Sequence, residues 1–260
     1  MDVILPFLRA VHHNDSKEWY LAHRYEYLEA FRRNASSIEK LIDLIGEFDE
    51  DIAKLEVSDC SFALVRDRKL KIDDRLFNDF LSGCFYRDGK YGGWAGYYYQ
   101  ISPLPSSSGG SFLTVGIYQP NKELMDYFRR EFIDNGDYVH KLVKETGFKP
   151  YLRDQLRRMH PGYRPKREHL DYLYLRSMML IKPLDEVWFL RDDWHERTAE
   201  EFRRCKPFVD YVNSIIARYR EESPFPVGHG LRPIPRHIHD QILRSIREKE
   251  QTLSVSGLKE

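Results

Sequence analysis

Residues 95–118 read AGYYYQISPLPSSSGGSFLTVGIY and predict two strands joined by a loop. Tyr97 and Tyr99 fall on the same face of an extended chain, which is the period of two expected of a half-buried strand. Residues 111–118 are rich in β-branched and aromatic side chains, which favour strands. The prolines, serines and glycines of 103–110 predict the loop of an antiparallel hairpin. That loop lacks the GxxxxGK[ST] pattern, so it reads as a hairpin tip and not as a phosphate cradle.

Before the hairpin, the run SFALV that begins at Ser61 predicts a further strand over 61–67. Earlier still, apolar residues recur at helical spacing and predict one or two helices over about 16–55, with a break near Asn34 or Gly46. Asp15, followed three positions later by a glutamate, is expected to cap the start of this helical region.

After the hairpin, Asn121 is expected to cap a helix that ends near Asn135, and a second short helix closes at Gly147. Thr198, with a glutamate three positions on, is expected to begin a later helix, in which Pro207 introduces a kink.

These elements predict an α+β fold in a single main domain, residues 1–222. Its core is an antiparallel sheet built from 61–67, 95–102 and 111–118 and packed by flanking helices. Residues 223–260 form a proline-rich connector and a short C-terminal helix, which is expected to pack on its own domain or on a second subunit.

The amino-acid composition excludes several classes of protein. Apolar residues make up 42% and charged residues 32%, which excludes collagen-like, membrane-embedded and wholly disordered chains. The 41 basic and 41 acidic residues cancel, which disfavours a general polyanion binder. The basic stretch 147–169 contains Tyr151 and Tyr163 and leaves single-stranded nucleic acid as a less favoured partner.

The three cysteines, Cys60, Cys84 and Cys205, are widely spaced, which excludes a disulfide framework and a four-cysteine zinc site. No signal peptide or bilayer-spanning stretch is recognisable, so we expect a cytoplasmic protein without membrane attachment. No metal site and no cofactor are predicted. Two pairs of histidines, His12 with His13 and His237 with His239, are interpreted as solvent-exposed side chains without a metal.

The clearest candidate site is the charged block VRDRKLKIDDRLF, residues 65–77. Arg66 and Lys69 are expected to hold an anionic group, with Asp67 orienting the guanidinium and Asp73 nearby. The competing interpretation is a structural network of ion pairs. Tyr98 and Arg176 are added as further ligand-binding candidates.

Several blocks resemble the bacterial and fungal family called domain of unknown function 2461. They are NDSKEWYLAHRYEYLEAF from Asn14, RDRKLKIDDRLFNDFLSGCF from Arg66, GYYYQISP from Gly96, SFLTVGIYQPNKELMDYFRREF from Ser111, PGYRPKREHLDYLYLRSMMLIKPL from Pro161 and CKPFVDYVN from Cys205. The resemblance covers about residues 7–220 and implies a mixed α+β fold without naming a reaction.

This chain departs from the family in its charged block. Ala63 and Lys69 stand where the family has arginines, Leu70 where it has phenylalanine, and Asp74 where it has lysine. Leu76 and Phe77 replace Pro-Tyr. If the block binds an anion in the family, this chain is expected to bind it more weakly or to bind a different one.

Two functions therefore remain open. The first is a cleft that binds a small anionic ligand, either in a binding protein or in a degenerate or divergent enzyme. The second is a non-catalytic protein-interaction module in which the same charges are structural. Catalytic residues and oligomeric state are not predicted, and the C-terminal helix is named as a possible dimer contact.

Overall fold

The computed structural model describes residues 3–66, 75–153, 155–158, 170–223 and 227. In chain order the elements are α1 (Ile4–His13), α2 (Lys17–Ala22), α3 (Arg24–Gly46), α4 (Val57–Cys60), β1 (Leu81–Tyr86), β2 (Gly96–Ile101), β3 (Ser111–Ile117), α5 (Lys122–Thr146), β4 (Lys149–Pro150), α6 (Leu170–Tyr174), β5 (Met178–Leu184), α7 (Glu186–Leu190) and α8 (Trp194–Glu222).

The strands form one five-stranded sheet in the order β1-β2-β3-β5-β4, and every pair is antiparallel. Helices flank this sheet, with α3 and α8 against β1 and β3, so the predicted α+β class is confirmed. The hairpin of β2 and β3 is also confirmed, with Tyr99 opposite Leu113.

One face of the sheet lies against the helices. Tyr97 and Tyr99 both point to this side, where the Tyr97 hydroxyl donates to Asp49 at 2.9 Å and the Tyr99 hydroxyl donates to Asn34 at 2.9 Å. The Asn34 amide in turn donates to the carbonyl of Ser82 at 3.1 Å. These bonds satisfy the polar ends of large rings that the core buries.

The predicted strand over 61–67 is wrong in its described part. Residues 61–66 contribute only two isolated bridges, Ser61 with Gly83 and Val65 with Phe77. The edge strand is β1, whose sequence LSGCFY has a weak strand signal. A Cβ atom at Gly83 would lie 2.6 Å from the Tyr99 ring, so close packing requires glycine at this position. This glycine weakens the strand signal of the β1 sequence.

The first helices differ from the prediction in their boundaries. The break falls at His23 instead of Asn34, and α3 ends at Gly46 as expected. Ser16 caps α2 by accepting from the amide of Trp19 at 3.1 Å. Asp15 does not cap this helix, because its carboxylate accepts the amides of residues 76 and 77 instead.

The later helices follow the prediction more closely. Asn121 caps α5 by accepting from the Leu124 amide at 2.7 Å, and Gly147 ends it with φ of 72°. Asn135 has non-helical dihedrals inside α5, where the sequence predicted an end. Thr198 does not begin a helix, since α8 starts four residues earlier and continues through Pro207.

None of the described helices combines the length and the apolar character needed to cross a bilayer. The connector and C-terminal helix predicted for 223–260 lie outside the described residues, apart from 223 and 227, so the domain division and the dimer contact stay predictions.

Candidate functional site

Asp79 is a fully buried carboxylate that joins three distant parts of the chain. It lies just before β1 and accepts the Ser107 hydroxyl at 2.5 Å, the Ser107 amide at 2.8 Å and the His12 ring nitrogen Nδ1 at 2.7 Å. Burial by itself would raise the pKa of Asp79, but these hydrogen bonds outweigh burial and hold the pKa below its ordinary value. Asp79 is therefore an ionised carboxylate at neutral pH.

His12 reaches Asp79 from the last turn of α1. Its side chain is 22% exposed, whereas that of Asp79 is 0% exposed, so the ring lies between the buried carboxylate and the surface. The sequence interpretation of His12 as a solvated histidine is therefore wrong. No local pattern could have revealed the contact, because the two partners are 67 positions apart.

Arg75 fixes the end of α1 from the other side. Its guanidinium donates to the carbonyl of Val11 at 3.1 Å and to that of His12 at 3.2 Å. The Val11 carbonyl also accepts the amide of Asn14, which follows α1, at 3.3 Å. A cation at a helix C-terminus interacts favourably with the helix dipole. Arg75 also contributes to the low pKa of Asp79. The arginine thus holds α1 where His12 can meet Asp79.

Arg66, the central residue of the predicted site, lies on the same network. Its Nε donates to Asn78 Oδ1 at 2.8 Å, and one terminal nitrogen donates to Ser107 Oγ at 3.2 Å. Arg66 is half-buried. Both of these acceptors are uncharged side-chain oxygens, one of an amide and one of a hydroxyl. Arg66 is thereby connected through Ser107 and Asp79 to His12.

We call residues 103–110, the loop of the β2–β3 hairpin, the serine loop. Ser107 at its tip bonds Arg66, and the next residue, Ser108, accepts at its carbonyl from Arg153 at 3.2 Å. The Gly110 amide donates to Ser106 Oγ at 3.0 Å and so holds the loop closed. Two guanidinium groups therefore meet neighbouring residues of one exposed loop.

Tyr98 lies on the sheet face opposite to the helices and is tied to the same loop. Burial raises the pKa of Tyr98, so its hydroxyl stays protonated and donates to Gln100 Oε1 at 3.1 Å. The Gln100 amide then donates to Ser108 Oγ at 2.8 Å. Tyr98 supports the loop through Gln100.

Arg176 lies at the other end of the sheet. It is exposed just before β5, whose first residues pair with the end of β3, whereas the serine loop precedes the start of β3. Strands of this length separate the two ends by about 20 Å. The structure does not bring Arg176 to Arg66. The remaining candidates, Asp67, Lys69 and Asp73, lie outside the described residues.

A cavity of about 260 Å³ opens elsewhere, between α8 and the start of β2. Asp49 lines it, with the Tyr97 hydroxyl at 2.9 Å and Lys206 at 3.8 Å. Burial is the main cause that raises the pKa of Asp49. Arg66 does not line this cavity, so the sequence-predicted anion site and the cavity are separate places.

Within the described ranges, no three histidine, cysteine, aspartate or glutamate side chains converge as metal ligands would. The groups that contact the serine loop, directly or through Asp79, are guanidinium, hydroxyl and imidazole groups and the carboxylates of Asp79 and Glu186. Their chemistry suits recognition of an anion and transfer of protons.

Comparison with known proteins gave one match. The model of a family described as conserved hypothetical protein (DUF2461) matches residues 3–211. No curated protein and no solved structure matches the chain.

Proposed function

The chain belongs to the DUF2461 family of conserved hypothetical proteins, and from the geometry of its own residues we propose that it binds a small anionic ligand at the serine loop. The observation that carries this proposal is that two arginines bind two adjacent serines of the loop. Arg66 donates to Ser107, and Arg153 donates to Ser108. Guanidinium groups bind phosphate and carboxylate through paired N–H donors.

The balance of charge around the loop supports an anion. Three arginines, Arg66, Arg75 and Arg153, contact the network. Its carboxylates include Asp79, which is buried and bonded by Ser107 and His12. They also include Glu186, which accepts the Leu104 amide of the serine loop and pairs with Arg9. The positive charge of Arg75 acts on Asp79 and offsets part of its negative charge. The Ser107 hydroxyl faces both Asp79 and Arg66.

The charged block, residues 65–77, differs from the family pattern, and these differences support weak binding of the anionic ligand. Lys69 and Asp74 lie outside the described residues, and the proposal rests on Arg66 and Arg153.

We also propose that the protein works in the cytoplasm. Cys60, Cys84 and Cys205 are all buried free thiols, which is the state that reducing compartments maintain.

Titration with inorganic phosphate tests the anion site. We expect Arg66→Ala and Arg153→Ala each to weaken phosphate binding by about tenfold in isothermal calorimetry, because each removes one charged hydrogen-bond donor. The matched control is Arg33→Ala, whose exposed guanidinium pairs with Glu29 on α3 and should leave binding unchanged.

Chemical denaturation of the same variants separates this proposal from the interaction module. If Arg66→Ala lowers the free energy of unfolding by about 1–3 kcal/mol while phosphate binding stays at the wild-type level, Arg66 is structural and the anion site is refuted.

A further inference from the structure

The hydrogen bond between His12 and Asp79 fixes which ring nitrogen carries the proton. An ionised carboxylate only accepts hydrogen bonds, so His12 Nδ1, at 2.7 Å from Asp79 Oδ2, must be the donor. In the neutral ring the lone pair then lies on Nε2. Asp79 is held for this role, because Ser107 bonds its other oxygen at 2.5 Å.

The His12 ring is partly exposed, and the ring of His13 packs edge-on against it with centroids 5.1 Å apart. The side chain is 22% exposed, and within the part of the chain that the structure describes no group hydrogen-bonds Nε2. The main-chain carbonyl of His12 is held by Arg75, which limits movement of the residue. The imidazole is thus fixed at Nδ1, and with respect to the described residues Nε2 keeps its capacity to accept a hydrogen bond from a ligand.

The same network places this imidazole beside the anion site. Ser107 bonds both Asp79 and Arg66, so only two side chains, Ser107 and Asp79, separate Arg66 from His12. A molecule that touches both Arg66 and His12 needs an anionic group and a second functional group further along.

We propose that His12 is the acid–base residue of the anion site, that Asp79 is its positioning residue, and that the ligand is a small anion with a hydroxyl group, such as a sugar or polyol phosphate. This inference rests on the proposed anion site. It names the chemical class of the ligand and gives the site a reaction type, proton transfer.

The step moves one proton and needs no further reagent. The O–H bond of the ligand hydroxyl breaks, its electron pair stays on oxygen, and the proton forms a new N–H bond at Nε2 of His12. The resulting imidazolium is stabilised by the Asp79 carboxylate. In the reverse step that N–H bond breaks and the proton returns to the same ligand oxygen, so neither the ligand nor the protein is consumed.

Nitrogen-15 NMR of the full-length labelled chain tests this inference with two probes, inorganic phosphate and glycerol 3-phosphate. We expect the neutral His12 ring to carry its proton on Nδ1. Glycerol 3-phosphate should move the Nε2 resonance, and both probes should move the Nε resonance of Arg66.

Variants add a test of positioning. Asp79→Asn should abolish the preference for the Nδ1–H form, because an amide can donate to Nδ1, and should weaken glycerol 3-phosphate binding by about tenfold. Asp192→Asn, which removes the charge of an exposed carboxylate, is the matched control and should leave the His12 resonances in place. If Asp79→Asn does not fold, the wild-type spectra still decide.

The outcomes distinguish the two proposals. A wild-type His12 protonated on Nε2, or an Nε2 resonance that ignores glycerol 3-phosphate while Arg66 responds, overturns the acid–base role and leaves the anion site standing. If Arg66 responds to neither probe, the anion site fails and this inference fails with it.

Discussion

At the scale of single residues, Asp79 is the group on which the local structure depends most. It holds the end of α1, the start of β1 and the serine loop together through His12 and Ser107. Buried carboxylates with several donors contribute to stability only while they are ionised.

Replacing Asp79 with alanine is expected to lower the free energy of unfolding by about 2 kcal/mol at pH 7, because a charged hydrogen-bond network loses its acceptor. The folded pKa of Asp79 lies below its ordinary value of 3.8. The contribution is therefore fully present above pH 3.8 and is lost as the pH falls through the lower folded pKa. Urea unfolding of both proteins between pH 7 and pH 3 measures this difference.

The control for that experiment is Asp192→Ala, which removes an exposed carboxylate and should change stability by less than about 0.5 kcal/mol. Equal effects of the two substitutions would show that Asp79 is not the residue that holds these segments together.

At the scale of elements, the first turn of α8 contains His195, whose ring stacks on Trp194 with centroids 3.7 Å apart. Within the described chain neither ring nitrogen has a hydrogen-bond partner. Burial, followed by the nearby Lys40 on α3, lowers the pKa of His195 to about 4. The positive end of the helix dipole acts in the same direction.

We expect His195 to make the protein less stable in acid. Because the unfolded chain binds a proton near pH 6.5 and the folded chain only near pH 4, stability falls as the pH drops through this interval. Partial exposure reduces the effect to about 1–2 kcal/mol. His195→Phe, which keeps the stacking, should remove this slope in unfolding measurements from pH 7 to pH 4.5, and an unchanged slope would assign the acid sensitivity to other groups.

The elements also show what the sequence could predict. The β2–β3 hairpin was predictable because alternation and turn residues are local signals. The strand β1 was missed because Gly83, required by the Tyr99 ring, removes a side chain from its pattern. Of the candidate site, Arg66 was found from its charge cluster, whereas Asp79 and His12 were not, since only folding brings them together.

At the scale of the whole molecule, the main body extends past the end of α8. Val227 is nearly buried, and its carbonyl accepts the amide of Asn121, the residue that caps α5. This contact lies beyond residue 211, where the family match ends.

A chain that stops after residue 223 is expected to be about 1–3 kcal/mol less stable than the full chain, because it loses the Val227 side chain from the core and an acceptor for Asn121. A chain that stops after residue 230 keeps both and serves as the control. Thermal and urea unfolding of the two truncated proteins compares them, and identical stability would contradict a role for Val227.

The strand order has a consequence for synthesis of the chain. The first three strands are neighbours in sequence and in space, but β3 receives its second partner, β5, only after a long helix and two shorter elements have been made. On the ribosome, the nascent hairpin therefore presents a bare row of amides and carbonyls until residue 184 has emerged. During that interval the unpaired edge of β3 can pair with other chains, which favours aggregation.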